Sequence, residues 1–306
     1  MRAAVVSEFG RPPRYGEWPD PVARSEHEQV VEVLAAGLHP RVRSQAAGSH
    51  YTSTDELPLV PGIDGVGRAA DGSLVYFVLP DVTLGSMAER TVVDVRRSIP
   101  LPADADVARL AAAMNPAMSS WVALKKRVDF VPGQSVLVLG ATGSAGQLAI
   151  QVARHLGAGE VIAAGRGSAR LDALGADRVI DLETGDISLA GNVDVVLDYL
   201  WGPPVEAALL PLLRGRDDRG RLLSWVQIGA VAGPTVALPS EALRQANVHF
   251  LGSGQGSVSA VGILETLPSL VEQIGSFSVD VVSEPLAEVE SVWPARAGNA
   301  RVVLVP

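Results

Sequence analysis

The strongest chemical signal in the sequence is a glycine-rich turn at residues 140–146. It reads GATGSAG, follows the apolar run SVLVL, and leads directly into a helical segment with Leu148, Ile150 and Val152. Glycines let a backbone approach a pyrophosphate closely, and a helix N-terminus presents N–H groups to an anion. A strand before such a turn and a helix after it are the context that the motif requires. The predicted dinucleotide site consists of Gly140, Ala141, Thr142, Gly143, Ser144, Ala145 and Gly146.

The end of the next apolar strand indicates which dinucleotide the turn would bind. Enzymes that use NAD place Asp or Glu there to bond the ribose 2′-hydroxyl. This chain instead reads Gly165-Arg166-Gly167, with Arg170 one helical turn further along. Because a guanidinium can form forked, charge-assisted hydrogen bonds with a phosphate, we expect Arg166, with Arg170 nearby, to bind a 2′-phosphate. The predicted cofactor is therefore NADPH.

Turn-forming residues also follow the later apolar strands. Tyr199, Gly229, Ser253 and Gly254 each stand just beyond such a run. In an open α/β sheet the ligand lies at the carboxyl ends of the strands, so we expect these four residues to face the cofactor.

Two patterns along the chain indicate the elements that position these residues. Short strand-like runs separated by Gly, Pro and Asp fill the first hundred residues, which is typical of a β domain. Beyond about residue 104, an Ala-rich helix and then alternating strands and helices indicate a parallel sheet covered on both faces. The expected strands are residues 3–6, 29–35, 65–69, 74–78 and 90–95, followed by 135–139, 160–164, 178–181, 193–198, 221–228 and 248–251.

The C-terminal segments are expected to return to the first domain. A helix over residues 261–274, a strand over residues 279–282 and the closing ARVVLVP strand would extend the parallel sheet awkwardly. The predicted domains are residues 1–117, completed by residues 257–306, and residues 118–256.

Composition argues against several classes of function. The net charge of −9 opposes binding to nucleic acid. The absence of cysteine removes thiolate nucleophiles, iron–sulfur clusters and cysteine-ligated zinc. Gly, Pro and charged residues interrupt each apolar stretch before the ~18 residues of a membrane span, and the first apolar run is too short for a secretory signal. We expect a cytoplasmic protein without membrane contact.

Seven segments stand in the order typical of a known family. They are EVLAAGLHPRVR, LPLVPGIDGVGR, GSMAERTVV, the long stretch from AAAMNPAMSSWVALKK through the glycine turn, LDALGADRVIDL, VDVVLDYL and AGNARVVLVP. The chain thereby resembles the zinc-free quinone oxidoreductase and enoyl reductase branch of the medium-chain dehydrogenase/reductase superfamily. The resemblance implies an α/β fold, with a GroES-like β domain interrupted by a Rossmann domain whose parallel sheet is doubly wound. It also implies an NADPH-dependent reductase whose substrate is a small electrophilic molecule, a quinone or an activated C=C bond, and a homodimer that forms through residues 248–251.

The residues expected on the acceptor side depart from the family pattern. Zinc-dependent relatives have Cys in the segment occupied here by His39, and a His-Glu pair where this chain has Ile63-Asp64. His39 alone cannot hold zinc, because a catalytic site needs about three protein ligands, so no metal is expected. Enoyl thioester reductases of the superfamily use a Tyr as proton donor, and Tyr51 stands at the corresponding spacing, thirteen residues before Asp64. His39 and His50 are the next candidates, because imidazole donates protons near neutral pH.

The resemblance also assigns three further residues to the cofactor. Ser119, Asn299 and Arg301 fall where relatives have cofactor-contacting residues. His39 and Val42 replace the Asn and Asp of quinone oxidoreductases, so two alternatives stay open: a carbonyl or imine reductase of the same fold, and a non-catalytic NADPH-binding protein. A short-chain dehydrogenase does not fit, because no Tyr in the chain is followed four residues later by Lys.

Overall fold

The computed structural model describes residues 1–295, 298 and 300–306 and separates into two compact units. Unit 1 comprises Met1–Asn115 and Leu267–Pro306, and unit 2 comprises Pro116–Thr266. Among the described residues, no helix is both long enough and apolar enough to cross a membrane.

Strands and short helices alternate along the chain. The strands are β1 (Arg2–Val5), β2 (Arg14–Glu17), β3 (Glu28–Gly37), β4 (Asp64–Arg68), β5 (Leu74–Val78), β6 (Arg90–Asp94), β7 (Ser98–Leu101), β8 (Ser135–Leu139), β9 (Glu160–Gly165), β10 (Arg178–Asp181), β11 (Val195–Asp198), β12 (Leu223–Gln227), β13 (Val248–Gly252), β14 (Val281–Pro285) and β15 (Arg301–Val305). The α-helices are α1 (Pro40–Ala46), α2 (Val107–Val122), α3 (Ser144–His155), α4 (Ser168–Asp172), α5 (Gly202–Arg214), α6 (Ala242–Gln245), α7 (Ala260–Leu264), α8 (Leu267–Ile274) and α9 (Val289–Val292). A π-helix (Ala123–Arg127) follows α2, and 3-10 turns span Val95–Arg97, Ile187–Ala190 and Leu286–Glu288.

Unit 2 is built on a six-stranded parallel sheet with the strand order β10-β9-β8-β11-β12-β13. Strands β8, β9 and β11 are buried along nearly their whole length, as apolar strands covered by helices on both faces should be. The order reverses between β8 and β11, because the chain runs outward from β8 to one edge and then from β11 to the other. This is the doubly wound arrangement in which a ligand lies beyond the carboxyl ends of the central strands.

Unit 1 contains a mostly antiparallel sheet with the order β14-β15-β3-β4-β5-β7, and β6 also pairs with β3. Strand β5 reads LVYFV, and its Phe77 belongs to a core that also contains Leu59 and Met87. The C-terminal strand β15 pairs antiparallel with β3. The C-terminal strand therefore joins a sheet that is otherwise built mainly from the N-terminal part of the chain.

The observed elements differ from the predicted ones mainly in short segments. The predicted strands up to β13 are present, with ends that differ by at most two residues, whereas β2, β7 and α1 were not predicted. Strand β7 contains Pro100 and lies at the sheet edge, the position where a strand tolerates proline. The helix predicted over residues 261–274 is divided into α7 and α8, because Pro268 has no N–H to continue the helical ladder. The chain returns to unit 1 at Leu267 rather than at residue 257.

Candidate active site

The turn between β8 and α3 is packed as tightly as a dinucleotide site requires. Gly140 follows the last residue of β8 and has a φ of +87°, a conformation that favours glycine. Gly146, in the first turn of α3, lies directly against it: a Cβ at position 146 would be 2.4 Å from the Gly140 carbonyl oxygen and 2.7 Å from Ala141 Cα. The N-terminus of α3 is therefore held on the turn. The first N–H groups of a helix have no acceptor within the helix, so this end favours an anion.

The remaining residues of the predicted turn lie in the same short segment. The N–H groups of Gly140 and Ala141 both donate to the Ala164 carbonyl oxygen in β9, at 2.9 and 3.0 Å. Gly143 is the exposed N-cap of α3. Ala141 is buried, and the half-buried residues are Thr142, Ser144 and Ala145. The structure thus brings all seven predicted residues together at the carboxyl end of β8.

The two predicted phosphate-binding arginines have different surroundings. Arg166 comes directly after β9 and is exposed. Arg170, in α4, donates to the Thr142 carbonyl oxygen at 3.2 Å and so braces the glycine turn. A carboxylate, Asp181, ends the neighbouring strand β10, and it accepts a 3.0 Å hydrogen bond from Ser168 Oγ. Arg166 is therefore an exposed cation at the carboxyl end of β9, while Arg170 already has a structural contact.

Tyr199 lies between two of the predicted glycines at the carboxyl ends of β8, β11 and β12. A Cβ at Gly140 would be 3.3 Å from Tyr199 Cβ, and a Cβ at Gly229 would be 2.9 Å from the Tyr199 carbonyl oxygen. The Tyr199 hydroxyl is 2.9 Å from Ser119 Oγ. Burial raises the pKa of Tyr199 to about 12, against the effect of its hydrogen bonds. The structure therefore joins Ser119, Gly140, Tyr199 and Gly229, and the phenol keeps its proton at neutral pH.

Asp198 holds this part of the site in place and was missed in the sequence prediction. It is fully buried at the end of β11 and accepts hydrogen bonds from the Leu200 N–H (2.8 Å), the Trp201 N–H (3.0 Å) and Trp225 Nε1 (3.0 Å). Burial raises the pKa of Asp198, against the effect of these hydrogen bonds. They fix the segment that carries Tyr199. A carboxylate at the end of an apolar strand was the signal that could have indicated this role.

Two further predicted cofactor residues follow β13. The Ser253 N–H donates to the Gln227 carbonyl oxygen of β12 at 2.8 Å, and the Gly254 N–H donates to Ser257 Oγ at 2.8 Å. Both residues thus lie at the same end of the sheet as the turn after β12. Asn299 lies outside the described residues.

His39, in unit 1, is part of a buried polar network. His39 and Asp64 are each only 1% exposed. The Arg301 guanidinium donates to His39 Nδ1, and the Tyr76 hydroxyl donates to Asp64 Oδ2 at 2.7 Å. His39 Nε2 lies 3.3 Å from Asp64 Oδ1, although within the described part of the chain neither atom has a well-aligned hydrogen bond. Because a guanidinium can only donate, Nδ1 accepts, and neutral His39 carries its proton on Nε2.

This network revises two predicted roles. His39 was a candidate proton donor to a substrate, but both of its ring nitrogens face protein groups, and burial lowers its pKa although Asp64 opposes that shift. Arg301 was assigned to the cofactor, but it is 7% exposed and bound to His39, and burial lowers its pKa to about 10. Burial, followed by the charge of Asp64, raises the pKa of Tyr76 well above its usual value. His39 and Arg301 are placed to stabilise unit 1.

The loop after α1 carries the other two candidate proton donors side by side. The ring centroids of His50 and Tyr51 are 4.2 Å apart, with 30° between the ring planes. Tyr51 is 72% exposed, whereas His50 is half-buried. His50 Nδ1 lies 2.9 Å from Thr52 Oγ1, which donates to Asp81 Oδ2 at 2.7 Å. Burial and the charge of Arg41 lower the pKa of His50, although Asp81 opposes the shift.

Comparisons with known proteins place the whole chain among oxidoreductases. It is 32% identical to a probable NADPH-dependent quinone reductase, tdiC, of Emericella nidulans, over an alignment of 359 residues that covers all of both chains. The chain belongs to the quinone oxidoreductase family. It is also 30% identical to the 2-methylene-furan-3-one reductase of Solanum lycopersicum, over 87% of this chain and 69% of that protein. Its fold matches the quinone oxidoreductase of Thermus thermophilus, solved also with NADPH, with a TM-score of 0.81, 27% identity and full coverage of both chains. No family model matches the chain.

Membership in the quinone oxidoreductase family confirms the predicted fold class. Unit 1 is the GroES-like β domain, and unit 2 is the Rossmann domain with its doubly wound parallel sheet. The turn at residues 140–146 fits a dinucleotide, because a Cβ at position 146 would lie 2.4 Å from the Gly140 carbonyl oxygen, so only glycine lets α3 begin this close to the turn. Within residues 1–295, 298 and 300–306, no group of three or more His, Asp or Glu side chains could hold a metal ion.

Proposed function

We propose that this chain is an NADPH-dependent reductase that transfers hydride to a quinone or an activated C=C bond without a metal ion. The observation that carries the proposal is the close packing of Gly146 against Gly140. A Cβ added at position 146 would lie only 2.4 Å from the Gly140 carbonyl oxygen. That contact aims the N-terminus of α3 at the space beyond β8, where a pyrophosphate would be bound by backbone N–H groups. The similarity to NADPH-dependent quinone reductases supports the same cofactor.

The residues of unit 2 would hold the cofactor along the carboxyl ends of its strands. The turn at residues 140–146 would bind the pyrophosphate, and Arg166 would bind the 2′-phosphate with a guanidinium that the structure leaves exposed. Tyr199 and Ser119 would lie at the nicotinamide end, where their paired hydroxyls offer a neutral polar surface. Bound NADPH supplies a hydride, so the acceptor must obtain one proton from another source.

The acceptor side of the proposal rests on unit 1. Reduction of a quinone or a C=C bond adds one hydride and one proton, and the proton must come from a side chain or from water. Tyr51 and His50 are the candidates that the structure leaves accessible, whereas His39 is enclosed in its network.

A screen of NADPH oxidation tests the proposed function. The purified protein is mixed with NADPH and, in separate assays, with quinones, enones, aldehydes and imines, and loss of the reduced nicotinamide absorbance is followed. We expect turnover with quinones or enones, and a matched Gly146→Ala variant should lose most of it. Turnover only with aldehydes or imines would support a carbonyl or imine reductase instead. NADPH binding without turnover of any acceptor would support a non-catalytic NADPH-binding protein.

Assembly and location complete the proposal. A homodimer is proposed to form along β13, because this strand lies at the edge of the six-stranded sheet and, among the described residues, pairs with no strand other than β12. Sedimentation velocity should give twice the mass of one chain, and a monomer at micromolar concentration would contradict it. A cytoplasmic location, where reduced nicotinamide cofactors are available, can be tested by cell fractionation.

A further inference from the structure

Trp201, in unit 2, has a backbone conformation that a bulky residue rarely adopts. It is the N-cap of α5, with a φ of +53° and a ψ of −169°. Among the described residues it is the only one other than glycine with a positive φ. This conformation is close to a region that essentially only glycine occupies, and such strain is concentrated at active sites and ligand-binding sites. The strain at Trp201 therefore indicates a function for its side chain.

The backbone on both sides of Trp201 is held by its neighbours. Asp198 Oδ1 accepts hydrogen bonds from the Leu200 N–H at 2.8 Å and from the Trp201 N–H at 3.0 Å. The Leu200 carbonyl oxygen accepts from the Ala232 N–H at 2.9 Å. On the other side, a Cβ added at Gly202 would lie 2.9 Å from the Ala232 carbonyl oxygen. A buried carboxylate and the loop after β12 thus keep Trp201 in its strained conformation.

Three half-buried apolar side chains lie at the carboxyl end of the parallel sheet. They are Leu182, Leu200 and Trp201, and all three pack against one core of unit 2. That core includes residues at the carboxyl ends of three strands: Leu139 in β8, Ala164 in β9 and Ile180 in β10. The indole of Trp201 therefore belongs to the same end of the sheet as the turn at residues 140–146.

The two leucines relate this apolar group to the proposed cofactor contacts. A Cβ added at Gly140, in the proposed pyrophosphate turn, would lie 3.1 Å from Leu200 Cδ2. The Leu182 N–H donates to the Gly165 carbonyl oxygen at 2.7 Å, directly before Arg166, the proposed contact of the 2′-phosphate. The ribose that carries this phosphate also carries adenine. Adenine is therefore the part of the cofactor that the half-buried apolar side chains fit.

We propose that Trp201 binds the adenine of NADPH by stacking its indole ring on the base. This inference rests on the proposed function, and its residues all belong to unit 2. Bases stack on aromatic side chains because both have flat π faces. The indole N–H has no acceptor within the described part of the chain, so it is available to an oxygen of the bound cofactor. A tryptophan at a backbone position that suits glycine is thereby explained, because its ring contacts the ligand.

Calorimetry with a fragment of the cofactor tests the stacking. The ligand is adenosine 2′,5′-bisphosphate, which has the base and the 2′-phosphate but no nicotinamide. Trp201→Gly and Trp201→Ala should each raise its Kd about tenfold, as removal of an aromatic ring that stacks on a base does. Trp201→Phe keeps a flat ring and should stay within about threefold of wild type. Wild-type affinity in Trp201→Gly would overturn the inference.

Thermal melting of the glycine and alanine variants separates binding from folding. Both variants lose the indole, but glycine adopts a positive φ without steric cost and alanine does not. Trp201→Gly should therefore melt at a higher temperature than Trp201→Ala, although the two bind adenosine 2′,5′-bisphosphate equally weakly. If affinity followed the melting temperature across the variants, Trp201 would only stabilise the loop, and the inference would be wrong.

Fluorine NMR of the protein labelled with fluorotryptophan observes Trp201 without turnover. The chain has 5 tryptophans, and Trp201→Phe identifies the signal of Trp201. Adenosine 2′,5′-bisphosphate should shift this signal more than that of Trp18, which packs against the core of unit 1 and serves as the control.

The outcomes of this titration distinguish the inference from the proposed function. A shift of the Trp201 signal with nicotinamide mononucleotide, but not with adenosine 2′,5′-bisphosphate, would overturn the inference, because the indole would then lie at the other end of the cofactor. Binding of NADPH with an unchanged Trp201 signal would overturn the inference alone. If wild type bound neither NADPH nor adenosine 2′,5′-bisphosphate, the proposed function would be contradicted together with it.

Discussion

Replacing Gly146 with alanine tests the cofactor cradle most sharply. An added Cβ would lie 2.4 Å from the Gly140 carbonyl oxygen, about 1 Å closer than an ordinary contact, and both groups are backbone-anchored. Helix α3 must therefore move away from the turn. Overpacking of this kind costs about 1–3 kcal/mol. Alanine offsets up to about 1 kcal/mol of this cost, because it favours the helix more than glycine does. The net loss of stability should lower the melting temperature by only a few degrees, since each kcal/mol changes it by about 2–4 °C.

The larger effect of Gly146→Ala should appear in cofactor binding. Hydrogen bonds from the α3 N-terminus to a pyrophosphate depend on donor distances near 3 Å, and a displacement of about 1 Å removes most of their strength. We expect Kd for NADPH, measured by calorimetry, to rise at least about tenfold, or ~1.4 kcal/mol. Gly252→Ala is the matched control, because an added Cβ there meets nothing within 4 Å. Wild-type affinity for NADPH in Gly146→Ala would refute the reasoning.

Two further variants address the phosphate contact and the buried network. Arg166→Ala should raise KM for NADPH about tenfold or more, because a charge-assisted hydrogen bond to the 2′-phosphate is lost. KM for NADH should rise less than about threefold, since NADH has no such phosphate. Equal increases for the two cofactors in steady-state assays would contradict the role of Arg166. The lowered pKa of His39 means that the unfolded chain binds its proton at higher pH, so stability is fully present above pH 6.5 and is lost as pH falls below it. His39→Gln should remove this dependence of the unfolding free energy on pH. Chemical denaturation of both proteins at about pH 8 and about pH 5 measures it, and the difference in unfolding free energy between wild type and variant should be smaller at the lower pH.

The cofactor site could be predicted from the sequence because its determinants are local. A strand, a glycine turn and a helix follow one another within residues 135–155, and apolar runs identify β8, β9 and β11 as buried strands. The alternation of strands and helices predicts a parallel sheet, and in the structure the neighbouring strands β8, β11 and β12 bring their carboxyl ends together.

The polar networks of unit 1 could not be predicted, because they join residues that are distant in the sequence. His39 and Arg301 are separated by 262 positions, and Arg41 and Asp81 by 40. Their contact depends on the pairing of β15 with β3 and on the path of the loops, which no local pattern specifies. His39 was therefore predicted as a candidate proton donor, because imidazole donates protons near neutral pH. The contacts of Thr52 Oγ1 with Arg41, His50 and Asp81 have no sequence signal for the same reason.

Calorimetric titration of the wild-type protein with NADPH and with NADH tests the central claim most directly. The account predicts that NADPH binds at least about tenfold more tightly, because Arg166 adds a charge-assisted contact that NADH cannot make. Equal affinities, or tighter binding of NADH, would contradict it.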